Sequence, residues 1–220
     1  SFWGTGTLIA SNLVLTCAHN VYDIKLKKMY SDRFEFRVGI VGPDTCCDYS
    51  KVISYFVADK YIAGDDSEDY AVLVLEKELG LNFGYMGLAY SYKILDKTSY
   101  YLYGYPGDKS KPYNMLYGME ADYEKGLVKL DKNGLEVENT KGEIKVNDNG
   151  KIMYTAFDTM PGQSGSSIWL KEKSGKPFIF GVHNAGNSLY NSGIIINLER
   201  FNIIKNWIIQ ANINSSITKN

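Results

Sequence analysis

The sequence contains only two histidines, His19 and His183, and each lies beside a short apolar run. His19 lies in Leu15-Thr-Cys-Ala-His-Asn20, and His183 lies in Gly181-Val-His-Asn-Ala-Gly186. Imidazole is the side chain best suited to take up and return a proton near neutral pH. A histidine base in this chain must therefore be one of these two, although a histidine at the end of a strand is more often structural.

A glycine-rich turn supplies a candidate nucleophile. Ser164 lies in Pro161-Gly-Gln-Ser-Gly-Ser-Ser167, directly before an apolar run. Acyl transfer needs a serine hydroxyl on a tight turn, with backbone N–H groups free to face a developing oxyanion. Flanking glycines permit such a turn, so the amides of Gly162 and Ser164 are the candidate donors. An ordinary glycine-rich loop is the alternative, and the segment is not the Gly-x-Ser-x-Gly elbow of α/β-hydrolases, because Ser166 stands in place of the second glycine.

An acidic cluster precedes the apolar run 70–75, and it supplies the third group. Such a cluster is usually a solvated loop. Asp69 differs from its neighbours because it abuts the apolar run, where a carboxylate could be held to orient an imidazole. His19, Asp69 and Ser164 follow one another in one of the chain orders found for a serine triad.

Short runs rich in β-branched and aromatic residues, separated by Gly, Asn, Asp and Pro, dominate the chain. The clearest runs span residues 13–15, 34–38, 71–75, 100–103 and 178–182. Many short strands at this spacing predict an all-β fold of barrels or a sandwich. From Leu198 the apolar residues follow a helical period, which predicts an amphipathic helix of about four turns packed on the last barrel.

The composition excludes several classes of function. The 220 residues are 45% hydrophobic and 22% charged, with a net charge of −1. This charge implies no general attraction to nucleic acid or an anionic membrane, and no apolar run is long enough for a transmembrane helix. Two histidines far apart make a poor zinc site, and a phosphate-binding glycine loop is absent. We therefore expect no metal, no cofactor, no nucleic-acid partner and no membrane partner.

The cysteines and the start of the chain carry less information. Cys17, Cys46 and Cys47 cannot all pair within one chain. We expect buried free thiols, and a bridge from Cys17 to Cys46 or Cys47 stays open. The chain starts abruptly in an apolar run at Ser1-Phe-Trp3, and we expect it to be a processed or trimmed product.

Three segments together resemble the active-site motifs of chymotrypsin-like serine proteases: Thr16-Cys-Ala-His-Asn20, Asp69-Tyr-Ala-Val72 and Gly162-Gln-Ser-Gly-Ser166. Gly104-Tyr-Pro-Gly-Asp-Lys109 and His183 narrow this resemblance to the glutamyl endopeptidase branch. The resemblance implies two six-stranded antiparallel β-barrels and a C-terminal α-helix, with the active site in the cleft between the barrels. Residues 1–95 would form the first barrel, and residues 96–220 would form the second barrel with its specificity pocket and the helix.

The resemblance also implies a role for each site residue. His19 would take the proton from Ser164, Asp69 would hold the histidine tautomer, and the amides of Gly162 and Ser164 would bind the oxyanion. A peptide or protein would be the substrate, and the protein would be a secreted or vacuolar monomer. Ser167 stands where a proline is usual in this family, a change that we regard as tolerable.

Two features disagree about which bond would be cut. His183 and Thr159 fall where glutamyl endopeptidases place pocket residues, and an imidazole with a hydroxyl can donate hydrogen bonds to a carboxylate. Asp158 falls where trypsin-like enzymes place the acid that attracts Lys or Arg. We expect a preference for Glu or Asp before the scissile bond. The alternatives are a protease of basic specificity, a non-catalytic binding protein of the same fold, and a HtrA-like stress protease whose peptide-binding domain lies outside this sequence.

Overall fold

The structure is a computed structural model that describes residues 3–30, 33–41, 45–90, 99–107, 116–122, 144–146, 150–155, 157, 159–172, 174–186 and 191–218. Within these ranges the chain is built mainly from strands. They are β1 (Thr7–Leu8), β2 (Leu13–Thr16), β3 (Tyr22–Asp23), β4 (Lys28–Met29), β5 (Glu35–Val38), β6 (Asp48–Val57), β7 (Ala71–Leu75), β8 (Gly87–Leu88), β9 (Ser99–Gly104), β10 (Tyr117–Asp122), β11 (Ile144–Val146), β12 (Ile152–Thr155), β13 (Ser167–Lys171), β14 (Pro177–Gly186) and β15 (Asn191–Ile195). The helices are α1 (Asp59–Ile62), α2 (Leu79–Phe83) and α3 (Leu198–Thr218), with short 3-10 turns at Ala18–Asn20 and Asp66–Glu68.

The first sheet has the order β1-β2-β7-β6-β5, and its pairs are antiparallel. Every residue of β2 and β7 is buried, because an apolar run at the centre of a sheet is covered on both faces. The register pairs Thr16 with Ala71. The residues that follow β2 and those that precede β7 therefore meet at the same end of the sheet.

The second sheet has the order β10-β9-β13-β14-β15-β12-β11, and β8 adds to β14 as a parallel neighbour.

The predicted all-β architecture with a C-terminal helix is confirmed. Six strands in each barrel are not confirmed, because the described residues place five strands in the first sheet and eight in the second. The two-residue strand β8 contributes to this difference. The predicted boundary between residues 95 and 96 lies outside the described residues.

The C-terminal helix begins at Leu198, where the apolar period predicts it. Its Trp207 stacks on Phe56 of β6, with ring centroids 5.8 Å apart, and also contacts Tyr70, at 5.6 Å. Phe56 lies in the first sheet and Tyr70 directly precedes its strand β7. The prediction that the helix packs on the last barrel is therefore wrong for its central turns. Among the described helices none combines the length and the apolar character needed to cross a membrane.

Candidate active site

His19 and Asp69 are joined by two hydrogen bonds at the shared end of β2 and β7. The His19 ring atom Nδ1 lies 2.6 Å from Asp69 Oδ2, and the backbone N–H of His19 donates to Asp69 Oδ1 at 2.9 Å. A carboxylate only accepts, so Nδ1 carries the proton and Nε2 presents a lone pair. Asp69 is 5% exposed, whereas 30% of the His19 side chain is open to solvent. The pair thus offers an oriented imidazole with an accessible basic nitrogen.

The turn that carries Ser164 is held directly against the histidine segment. The carbonyl of Ser164 accepts hydrogen bonds from the backbone N–H of Thr5 and from Asn20 Nδ2, both at 2.8 Å. Asn20 Nδ2 also donates to Thr16 Oγ1 at 2.9 Å. The residue that follows His19 therefore positions the backbone of the candidate nucleophile.

Thr5 makes further contacts to the same turn. Its Oγ1 donates to the carbonyl of Gly162 at 2.8 Å and accepts from the backbone N–H of Tyr105 at 3.1 Å. Sequence reasoning missed Thr5 and Asn20 as positioning residues. Two features of the sequence could have pointed to them: Asn20 lies next to His19, and Thr5 lies in a Gly-Thr-Gly-Thr segment.

The third contact of a triad, from Ser164 Oγ to His19 Nε2, is absent from the hydrogen bonds of the described residues. Ser164 itself is partly exposed. In structures without substrate such contacts are often long and shorten only when the substrate binds. The fold therefore holds the backbone of Ser164 beside the segment that carries His19, and the Ser164 hydroxyl makes no hydrogen bond within the described residues.

Two backbone amides in the serine turn are available to an anion. Within the described part of the chain, the amides of Gly162 and Ser164 have no acceptor, whereas that of Gly165 donates to the carbonyl of His183 at 2.8 Å. Gly162 has φ +101°, and an added Cβ would lie 2.5 Å from the carbonyl oxygen of Tyr105. The turn thus needs glycine at this position, and the two amides, which flank Gln163, have no acceptor among the residues that the structure describes.

Of the two glycines Gly162 and Gly165 in the serine turn, Gly165 leaves less room for a side chain. It has φ +91°, and an added Cβ would lie 2.0 Å from the carbonyl oxygen of Thr5 and 2.3 Å from Thr16 Oγ1. We expect Gly165→Ala to lower the free energy of unfolding by about 3 kcal/mol or more, from backbone strain and from the clash together.

Gly175 is the matched control for that substitution, since it has φ +82° and nothing within 4 Å of an added Cβ. Gly175→Ala should cost only the strain of the left-handed backbone, about 1 to 2 kcal/mol. Denaturant unfolding of both variants measures the difference. Equal losses would mean that the serine turn is not packed as tightly as the distances indicate.

His183 is buried behind the serine turn, at a register shift between β14 and β15. Its Nδ1 lies 3.0 Å from the carbonyl oxygen of Ser192, and a carbonyl only accepts, so Nδ1 carries the proton. Burial lowers the pKa of His183 to about 4. The hydrogen bond to Ser192 opposes this shift, and the charge of His19 adds to it. Near neutral pH the ring is therefore uncharged, with a lone pair on Nε2.

Cys17 is hydrogen-bonded to His183 and lies close to the His19–Asp69 pair. The Cys17 thiol is fully buried and donates to the carbonyl of His183 at 3.0 Å. Burial and the Asp69 charge hold the pKa of this thiol well above its ordinary value. Ligand-type atoms of Cys17, His19 and Asp69 lie within 4.8 Å of one another. Among the described residues, His19 and Asp69 are bonded to each other, whereas the Cys17 thiol is bonded to His183 and only lies near that pair.

The three cysteines are free thiols, as predicted, and no bridge joins Cys17 to Cys46 or Cys47. The expectation that all are buried is wrong, because Cys46 is half-buried and Cys47 is exposed. Both lie at the start of the long strand β6, on the edge side of the first sheet.

Of the two other predicted pocket residues, the structure describes Thr159 and does not describe Asp158. Thr159 is partly exposed, and within the described residues no hydrogen bond joins it to His183. Asp158 lies outside the described residues. The geometry therefore places His183 close to the serine turn and leaves the contribution of Thr159 and Asp158 as a prediction.

Comparison with known proteins identifies the family. A model of the trypsin-like peptidase domain matches residues 4–176. A glutamyl endopeptidase of Bacillus licheniformis is 27% identical over 210 residues, which cover 92% of this chain and 58% of that protein. The chain thus spans little more than half the length of this relative.

Solved structures show the same fold. A glutamyl endopeptidase in complex with MPD superposes with a TM-score of 0.72 at 26% identity, covering 92% of this chain and 83% of that one. The protease Anisep from Arthrobacter nicotinovorans, at 16% identity, gives a TM-score of 0.62 over 88% of this chain and 83% of its own. The chymotrypsin-like fold and the resemblance to glutamyl endopeptidases are therefore confirmed, and the chain belongs to the trypsin-like peptidase family.

Proposed function

We propose that this protein is a serine endopeptidase that forms an acyl-enzyme on Ser164. The observation that carries the proposal is the two-point contact between His19 and Asp69, beside a serine turn in which two amides have no acceptor within the described part of the chain. Each part has a defined chemical use in acyl transfer. Secretion accords with this activity and stays a prediction.

The proposed reaction proceeds in two halves. Ser164 Oγ attacks the scissile carbonyl carbon while its proton passes to His19 Nε2, and the oxyanion faces the amides of Gly162 and Ser164. Asp69 keeps the proton on Nδ1 and stabilises the imidazolium that forms. His19 then gives the proton to the leaving amine, and the C–N bond breaks. In the second half a water, deprotonated by His19, hydrolyses the ester and restores Ser164.

We further propose that the enzyme prefers Glu or Asp before the scissile bond, with His183 as the group that receives the carboxyl. The name of the Bacillus relative supports this preference. The position of His183 supports it too, because its backbone N–H donates to the carbonyl of Ser166 and its carbonyl accepts from Gly165, both at 2.8 Å. His183 is thereby fixed to the serine turn on both sides. Thr159 would add a hydroxyl donor.

The protonation state of His183 gives this preference a pH dependence. The neutral ring offers only a lone pair at Nε2, since its proton is on Nδ1, and a substrate carboxylate needs a donor. A hydrogen bond between His183 Nε2 and this carboxyl group therefore requires one added proton, on the ring or on the carboxyl group. The free ring has a pKa of about 4 and a free glutamate side chain one of about 4.3. Above pH 5 both have lost that proton, so raising the pH weakens recognition of Glu.

We predict that the kcat/KM ratio for two peptides that differ only in Glu or Gln before the scissile bond falls about tenfold per pH unit above pH 5.5. The Gln peptide needs no added proton and corrects for the titration of other groups. His183→Asn keeps an N–H donor for the Ser192 carbonyl and should remove the slope. A constant ratio from pH 5.5 to 8.5 in the parent protein would show that recognition does not pass through His183.

Digestion of a mixed peptide pool, with each cut located by mass spectrometry, tests the proposed function itself. Cuts after Glu or Asp are the expected result. Cuts after Lys or Arg would keep the endopeptidase and assign the pocket to Asp158. A folded protein that makes no cuts would contradict the proposal and favour the non-catalytic alternative.

A further inference from the structure

A buried ion pair joins the C-terminal helix to the turn that precedes Asp69. Arg200, in the first turn of α3, is 1% exposed, and Glu68 is 2% exposed. Arg200 Nε lies 2.9 Å from Glu68 Oε2, and one terminal nitrogen lies 3.1 Å from Oε1. This two-point geometry fixes both the distance and the angle between guanidinium and carboxylate.

Further hydrogen bonds surround this ion pair. The other guanidinium hydrogens go to the carbonyls of Lys151 and Ile195, each at 2.6 Å, and of Ser67 at 2.8 Å. All five donors of Arg200 thus have acceptors. Lys151 Nζ adds a bond to Glu68 Oε1 at 3.0 Å. Burying a charge is costly unless its partners are complete. Here the partners come from the 3-10 turn, from Lys151 before β12 and from Ile195 at the end of β15.

The ion pair lies next to the backbone that aims Asp69. Asp69 has φ −74° and ψ 69°, and the N–H of Tyr70 donates to the carbonyl of Glu68 at 2.8 Å. These are the features of an inverse γ-turn centred on Asp69. Glu68 is the first residue of that turn, and its own N–H donates to the carbonyl of Asp65 at 3.0 Å. The direction of the Asp69 carboxylate therefore depends on where Glu68 is held.

We propose that Arg200 is a positioning residue for the His19–Asp69 pair. By holding Glu68 at both carboxylate oxygens, it sets the γ-turn so that Asp69 faces His19 with Oδ1 toward the backbone N–H and Oδ2 toward Nδ1. Arg200 bonds to neither member of the pair and acts through Glu68. This inference rests on the proposed function, and it makes the geometry of the site depend on a helix at the far end of the chain.

Arg200→Lys tests the proposal, because it keeps the charge and loses the two-point contact. We expect kcat for peptide hydrolysis to fall about ten- to a hundredfold, with KM little changed, as for misplacement of about 1 Å at a reacting centre. The downfield NMR resonance of the His19 Nδ1 proton should also move or broaden. This resonance can be measured whether or not the protein cleaves peptides. It therefore tests the positioning role of Arg200 even if the proposed peptidase activity is wrong.

Two further variants complete the test. Glu199→Ala breaks the exposed Lys60–Glu199 contact of 2.6 Å, which also ties α3 to the first half of the chain, and should leave kcat and the resonance unchanged. If Arg200→Lys does not fold, Glu68→Gln with Arg200→Met removes both buried charges together and should show the same losses. A folded variant with parental kcat and an unmoved Nδ1 resonance would overturn the proposal, even if its free energy of unfolding were lower.

Discussion

Replacing Ser164 with alanine is expected to lower kcat for peptide hydrolysis by about a factor of 10⁶, to the level of the turn and pocket acting without a nucleophile. The fold should not change, because the contacts of Ser164 to Thr5 and Asn20 are made by its backbone carbonyl. Its Oγ makes no hydrogen bond among the described residues, so the free energy of unfolding should stay within about 0.5 kcal/mol.

Ser166 is the matched control for this substitution. It lies two residues further along the same turn, and its Oγ is buried without a hydrogen-bond partner among the described residues. Ser166→Ala removes the same group from a nearby position and should leave kcat within a few-fold of the parent. Steady-state kinetics on one peptide compare the two variants. An active Ser164→Ala protein, or equal losses in both, would show that Ser164 is not the nucleophile.

Asp69→Asn is expected to lower kcat by about 10⁴. The two oxygens of Asp69 accept from two donors of His19, its backbone N–H and its Nδ1–H. Asparagine has one oxygen and an NH₂ group. With the oxygen on the backbone N–H, its NH₂ faces Nδ1 and drives the ring proton to Nε2. The nitrogen that must accept the proton of Ser164 is then already protonated.

Asp66→Asn removes the same charge from an exposed position of the same turn and should leave kcat within a few-fold of the parent. Pre-steady-state kinetics would locate the loss in Asp69→Asn at the acylation step. If Asp69→Asn and Asp66→Asn lower kcat equally, the charge of the turn matters and the orientation of His19 does not.

The local pattern of apolar residues was sufficient to predict the strands and the helix that carry the site. The apolar runs at 13–15 and 71–75 predicted the two central strands, and the helical period from Leu198 predicted where α3 begins. The same period could not identify the partner of the helix. An amphipathic pattern shows which face is buried and says nothing about which sheet covers it, and here the covering rings are Phe56 and Tyr70.

Polar contacts between residues that lie far apart in the chain could not be predicted from the sequence. Thr5, Asn20 and Arg200 reach partners 157, 144 and 132 residues away. Asn20 lies next to His19 and Thr5 lies in a Gly-Thr-Gly-Thr segment, but neither feature identifies the distant partner, and Arg200 has no such feature in the sequence. The tautomer of His183 likewise depends on the carbonyl of Ser192, which lies beside Gly193, the residue that the strand register pairs with His183. Residue types and chain order thus identified the reacting groups, and only the fold identified what positions them.

The most direct test of an activated Ser164 is its reaction with a fluorophosphonate probe, followed by intact-mass measurement and peptide mapping. The serine oxygen would form a bond to phosphorus, fluoride would leave, and His19 would take the proton. We predict one adduct per chain, on Ser164, with none on Ser166 and labelling at least about a thousandfold slower in Asp69→Asn. A folded protein that takes up no probe, or takes it up at another residue, would contradict the assignment of Ser164 as a nucleophile activated by the His19–Asp69 pair.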